Sequence, residues 1–162
     1  MTNPAGYSRL HITLHWVAFV LIVQQFLFNG AIVGAYEAIG RGQAPAPDPL
    51  VAAHVLGGIA VMVLAAWRLV LRARNGVPAE AGDSALLRLV ARLTHWGLYA
   101  LMVVMPLSGA VAWFGGAEGA ANAHAALKFL LLALIALHVA GALYHQFVVK
   151  DGVLNRMRRA QR

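Results

Sequence analysis

Apolar residues in this chain come in four long blocks, and outside those blocks lie all six acidic residues and five of the six prolines. Each block approaches or exceeds the ~20 residues that a helix needs to cross ~30 Å of hydrocarbon. The blocks run from Ile12 to Gly34, Leu50 to Leu71, Leu89 to Phe114 and Ala121 to Val149. One block alone could be a core helix; four in succession predict membrane-spanning helices. The connections hold residues that end helices: Pro45, Pro47 and Pro49 in the first, Pro78 and Gly82 in the second, Gly115, Gly116 and Gly119 in the third. None is long enough to separate a second domain, so residues 1–162 are expected to form one four-helix membrane domain. A short leader with Arg9 precedes the first block and resembles the start of a signal peptide. The apolar run is too long for that, and the expectation is an uncleaved first span.

Composition strengthens this reading. The chain is 60% hydrophobic and only 12% charged, whereas a soluble domain carries roughly a quarter of its residues as charges. The fold class expected is therefore an all-α membrane protein, a bundle of four transmembrane helices. Charge then sets its orientation. Eleven of the thirteen basic residues fall on one side, in the leader (Arg9), the second connection (Arg68, Arg72, Arg74, Arg88, Arg92) and the tail (Lys150, Arg156, Arg158, Arg159, Arg162). Only Arg41 and Lys128 fall on the other. The positive-inside rule puts both termini and the second connection of this multi-pass protein in the cytoplasm. A net charge of +7 would suggest nucleic acid in a soluble protein; here topology and contact with anionic membrane lipid account for it, and no nucleic-acid partner is expected.

What the spans lack narrows the chemistry. With no Cys there is no disulfide, thiolate-held cluster or covalently attached haem. With no Asp or Glu inside a span, an ion-coupled transporter is disfavoured. The spans do contain His15, His54, His95, His124 and His138, with His11 and His145 near their cytoplasmic ends. Any one of these taken alone is expected to bond a backbone carbonyl or a neighbouring Ser or Thr. Five in four helices exceed what packing requires, and paired imidazoles on facing helices suit an iron porphyrin.

Depth, at about 1.5 Å per residue, sorts the histidines into pairs. His54 and His124 lie within about 4 to 6 Å of the outer boundary, and His15 and His138 both lie about 26 to 28 Å from it. His124 and His138 are separated by about 21 Å on one helix and rotated by only about 40°, so one face would serve two stacked haems. His95 matches His15 in depth and is the rival inner ligand. Pairing it with His15 would leave His138 buried without a partner, which favours His138. His145, at about 36 Å, is better suited to the cytoplasmic interface. Gly57, Gly58 and Gly141 would let a porphyrin approach the backbone, or would simply pack helices.

Several motifs together resemble the bacterial cytochrome b-561 family: Tyr7-Ser8-Arg9-Leu10 with His15-Trp16, His54 with Gly57 and Gly58 leading to Arg68, His95 to Tyr99 with Pro106 and Gly109, and His124 with His138, His145 and Lys150-Asp151. The resemblance covers nearly the whole chain. It implies four helices and two non-covalent haem b groups, with iron ligands at His15, His54, His124 and His138. The family's relatives include a superoxide:ubiquinone oxidoreductase and cytochrome b subunits of hydrogenases and formate dehydrogenases.

Two functions follow from this resemblance. The protein is either an oxidoreductase passing electrons from a small periplasmic-side donor, with superoxide as the model, through both haems to membrane quinone, or an electron-transfer subunit docked on a separate dehydrogenase or periplasmic redox protein. The outer face offers Arg41 and Lys128 against Glu37, Asp48 and Glu118, a weak field for steering an anion. The third connection, 115–120, is too short to form a cover over an outer site. Lys128, four residues after His124, shares its helix face and would reach a haem propionate or an incoming anion, or else snorkel to the interface. On the cytoplasmic side Arg9, His11, His95 and His145 are candidates to meet inner-haem propionates or a quinone, with solvated interfacial roles as the plain alternative.

Overall fold

A computed structural model describes residues 6–78 and 84–160; Gly82, expected to break the second connection, and Arg162 of the basic tail lie outside these. Helix α1 (Arg9–Leu27) starts where the Ser8 hydroxyl accepts the His11 N–H at 3.2 Å, a side-chain cap for one of the four unsatisfied donors. The first apolar block does not remain one helix. It breaks at Phe28, and α2 (Asn29–Gly40) follows. Asn29 and Gly30 are both weak helix formers, and the break falls where they begin.

Helix α3 (Pro49–Asn75) begins with the Asp48 carboxylate accepting the Leu50 N–H at 2.7 Å and with Pro at the first position. It ends with Arg72 and Arg74 in the last turn, where cations oppose the helix dipole favourably. Helix α4 (Ala85–Gly115) contains Pro106 and closes on left-handed Gly116, φ 64°. Helix α5 (Glu118–Tyr144) continues through a π turn, His145–Val149, to Lys150 at φ 58°, and a 3-10 turn follows over Val153–Met157. Four helices are long and apolar enough to cross a membrane: Arg9–Leu27, Pro49–Asn75, Ala85–Gly115 and Glu118–Val149. Each expected span is present, the first shorter and the others longer than their apolar cores.

The helices pack in the order α1, α3, α4, α5, with α2 folded onto α3. Where α1, α3 and α4 meet, Ala18, Val61, Ala65, Tyr99 and Met102 form the core. Ala18 and Ala65 are small enough for the backbones to approach closely, the usual way helices associate in lipid. Val20, Leu56, Val63 and Phe129 are among the large side chains left more than half exposed on the outside of the bundle, as expected where lipid replaces water. Little packing joins α1 to α5 among the described residues. The cavities lie there.

Candidate cofactor-binding site

Two cavities are stacked along the bundle. The proximal one, at the end carrying both termini, has a volume of about 270 Å³ and is lined by His15, Arg68, His95, Tyr99 and His138 among apolar residues. The distal one, of about 380 Å³, is lined by His54, Gly109, Asn122, His124 and Lys128. Ile22, Phe26 and Met102 line both. They form a thin apolar partition.

Each cavity has a histidine pair contributed by separate helices. The His15 and His138 ring centres are 6.2 Å apart, from α1 and α5. Those of His54 and His124 are 6.4 Å apart, from α3 and α5. Two imidazole nitrogens bonded to one metal at about 2.0 Å each, with roughly 1.1 Å from nitrogen to ring centre, place the centres about 6.2 Å apart. His95 and His138 are 5.0 Å apart, less than that spacing. His95 instead turns Nδ1 to the Ala91 carbonyl of its own helix at 2.6 Å.

The distal pair is the more fully built. His124 Nδ1 lies 2.9 Å from the Met105 carbonyl oxygen and 3.2 Å from the Ser108 hydroxyl. A backbone acceptor at one ring nitrogen sets the tautomer and leaves the other, Nε2, with a lone pair for a metal. The acceptor lies beside Pro106 of α4, whose missing N–H leaves the Met102 carbonyl without its helical donor. Gly109 makes the approach feasible, since a Cβ there would stand 3.1 Å from His124 Cε1. His54 Nδ1 is buried with no hydrogen-bond partner.

Other expected residues are placed differently. Arg9 is exposed, and neither it nor His145 lines either of these two cavities. His145 Nδ1 is 2.6 Å from Asp151 Oδ2. Burial alone would raise the Asp151 carboxyl, but the His145 contact and the Val153 N–H hold it below the usual range. His11 is buried against Tyr7, ring centres 4.8 Å apart, outside the proximal cavity. Lys128 does line the distal cavity, with Nζ 5.3 Å from the Phe129 ring centre. Gly57 makes room for protein: a Cβ there would strike the Gln25 and Gln24 side chains. The cover over the distal cavity comes from α2, through Asn29, Ile32, Val33, Tyr36 and Glu37, not from the third connection.

Gln25 was not among the expected site residues; it lines the distal cavity with its Oε1 buried and unpartnered. Arg68, expected as a basic residue of the second connection and as part of the family motif, lies inside α3 at 9% exposure. Polar groups within apolar runs were the available signal.

The chain matches the prokaryotic cytochrome b561 family over residues 6–160. It belongs to that family. Among similar proteins, a cytochrome b562 from Cereibacter sphaeroides is 40% identical over 98% of this chain and 99% of its own. A probable superoxide oxidase CybB from Yersinia pestis is 31% identical, covering 93% and 94%. A cytochrome b561 homolog 2 from Escherichia coli is 25% identical, covering 96% and 92%. Membership makes this chain a bacterial multi-pass membrane cytochrome that carries haem b and transfers electrons. The cavities suit that cofactor: apolar volumes, facing imidazoles, one ring held by a carbonyl and one buried ring nitrogen still lacking a partner.

Proposed function

We propose that this cytochrome holds two haem b groups, one between His54 and His124 and one between His15 and His138, and moves electrons across the membrane from a periplasmic-side donor to quinone. The observation that carries the proposal is the repetition of one geometry, an apolar cavity with paired imidazoles at 6.2 Å and again at 6.4 Å. The bound groups supply reversible one-electron chemistry. The chain's own work is to fix ligand rings, exclude water through the apolar partition and set the electrostatics at each end. The charge asymmetry supports placing the termini, and with them the proximal cavity, in the cytoplasm of an inner-membrane protein.

Superoxide is the donor we favour. The likeness to the probable superoxide oxidase supports it, as does Lys128 at the distal cavity, a cation beside the route an anion would take. The test is rapid mixing of the oxidised protein with superoxide, followed by haem absorbance, then addition of quinone. Fast reduction and reoxidation support a self-contained superoxide:quinone oxidoreductase. Reduction only by an added redox protein or dehydrogenase would replace it with the docked-subunit reading.

A further inference from the structure

Arg68 is a charge without an evident reason to be where it is. It lies inside α3, one of the spans, and is buried to 9% exposure. Its Nε has no hydrogen-bond partner, and its guanidinium carbon stands 5.4 Å from the Tyr99 ring centre. Among the described residues no carboxylate forms an ion pair with it: Glu37 pairs with Arg41, Asp151 with His145, and Asp48 caps α3 at its opposite end. A buried guanidinium without a carboxylate partner is costly, and guanidinium is the side chain best shaped to grip a carboxylate. Arg68 also lines the proximal cavity together with His15 and His138.

We propose that Arg68 anchors a propionate of the haem held between His15 and His138, so that the cofactor supplies the anion this cation lacks. The inference rests on the two-haem reading above. Arg68 is fourteen residues beyond His54 on α3, about 21 Å along the helix and close to the same face. It therefore stands at the level of the proximal pair, where a porphyrin edge would reach α3. Tyr99 holds the guanidinium from one side by a cation–π contact, leaving the other donors for the carboxylate. Arg68 is a positioning residue, not a ligand. It fixes the rotation of the porphyrin about the axis joining the two imidazoles, which the histidines alone leave free.

The test uses the full chain with its haem bound, as wild type, Arg68→Gln and Arg68→Lys. Haem content per chain comes first: one haem in the wild type defeats the two-haem reading, whatever Arg68 does. With two present, Arg68→Gln should weaken retention of the proximal haem by roughly a hundred- to several-thousandfold, the scale for stripping one partner from a buried charge pair. Where the haem is retained, its midpoint potential should fall at alkaline pH and acquire a pH dependence, as a propionate released from its cation begins to bind protons. The distal potential should not move. Arg68→Lys should restore retention but shift the carboxylate bands in redox difference infrared spectra of protein grown with haem ¹³C-labelled at its propionates. Those bands also decide the matter if Arg68→Gln fails to fold. Labelled bands identical in wild type and Arg68→Lys, or a proximal haem in Arg68→Gln with unchanged retention, potential and pH dependence, would overturn the proposal. So would a proximal potential that responds to removal of anionic lipid, because the anion would then be a headgroup.

Discussion

His124 is held by neighbours from another helix. Its ring is set by the Met105 carbonyl and Ser108 hydroxyl of α4 and pressed against Gly109. Gly109→Ala should push the ring off the Met105 oxygen, since its Cβ would start only 3.1 Å from Cε1. Losing such an outer-shell contact typically costs about 10- to 100-fold in metal affinity. The expected result is selective weakening of the distal haem, read as lower haem content and altered low-spin electron resonance at that site, with the proximal site unaltered. Ser108→Ala should do far less, because the shorter contact to the carbonyl remains. Lys128 allows a test of the donor. Lys128→Met should slow reduction by superoxide at low ionic strength and approach wild type at high salt, as expected of a charge acting through a screened field. Equal rates at both salt concentrations would return Lys128 to a snorkelling role at the interface.

The helices turn these residue contacts into a stack. α5 carries His124 and His138 on one face, and α3 carries His54 and Arg68 at the same fourteen-residue interval. The break at Phe28 lets α2 leave the line of α1 and fold over the distal cavity, where a straight helix would have left it open. At the other end, the π turn after α5 brings His145 to Asp151, and the Trp16 indole donates to the Met157 carbonyl at 2.9 Å. These contacts fasten the tail to the bundle. The Asp151 carboxyl is held below its ordinary range in the folded chain, so its contribution is complete above the unfolded carboxylate pKa, about 4, and is lost as the pH falls through the depressed value. Asp151→Asn should therefore raise hydrogen exchange over residues 145–160 at neutral pH and remove the acid-induced loosening there. Haem content should not change, because neither residue lines either of the two cavities.

For the whole molecule, four spans place both termini on one side, and the basic residues argue that this side is the cytoplasm. A carboxy-terminal alkaline phosphatase fusion should be inactive and a fluorescent-protein fusion bright; the opposite pattern would invert the direction assigned to electron flow. Pyridine haemochrome analysis should return two haems per chain, with two transitions in a redox titration. His54→Ala should remove only the distal transition and His15→Ala only the proximal one. If His95→Ala rather than His138→Ala abolished the proximal haem in folded protein, the pairing at 6.2 Å would be the wrong one of the two.

Span number, histidine depth and charge asymmetry were legible in the linear chain because each depends on one-dimensional quantities: the length of an apolar run, the rise per residue, and the side on which a connection falls. The pairing of His54 with His124 and of His15 with His138 followed from the same arithmetic, and the helices place those rings opposite one another. The choice between His95 and His138 had rested on the cost of an unpartnered buried ring; ring spacing adds an argument that needs helix orientation, which depth does not contain. The break at Phe28, the cover formed by α2 and the contact between Gly109 and His124 also depend on how helices meet. Arg68 marks the boundary between the two kinds of information. Its place in an apolar run was visible from the start, but only packing on α1 and α4 decides whether a cation at the end of a span escapes to the interface or is turned inward, buried beside Tyr99 at the proximal cavity.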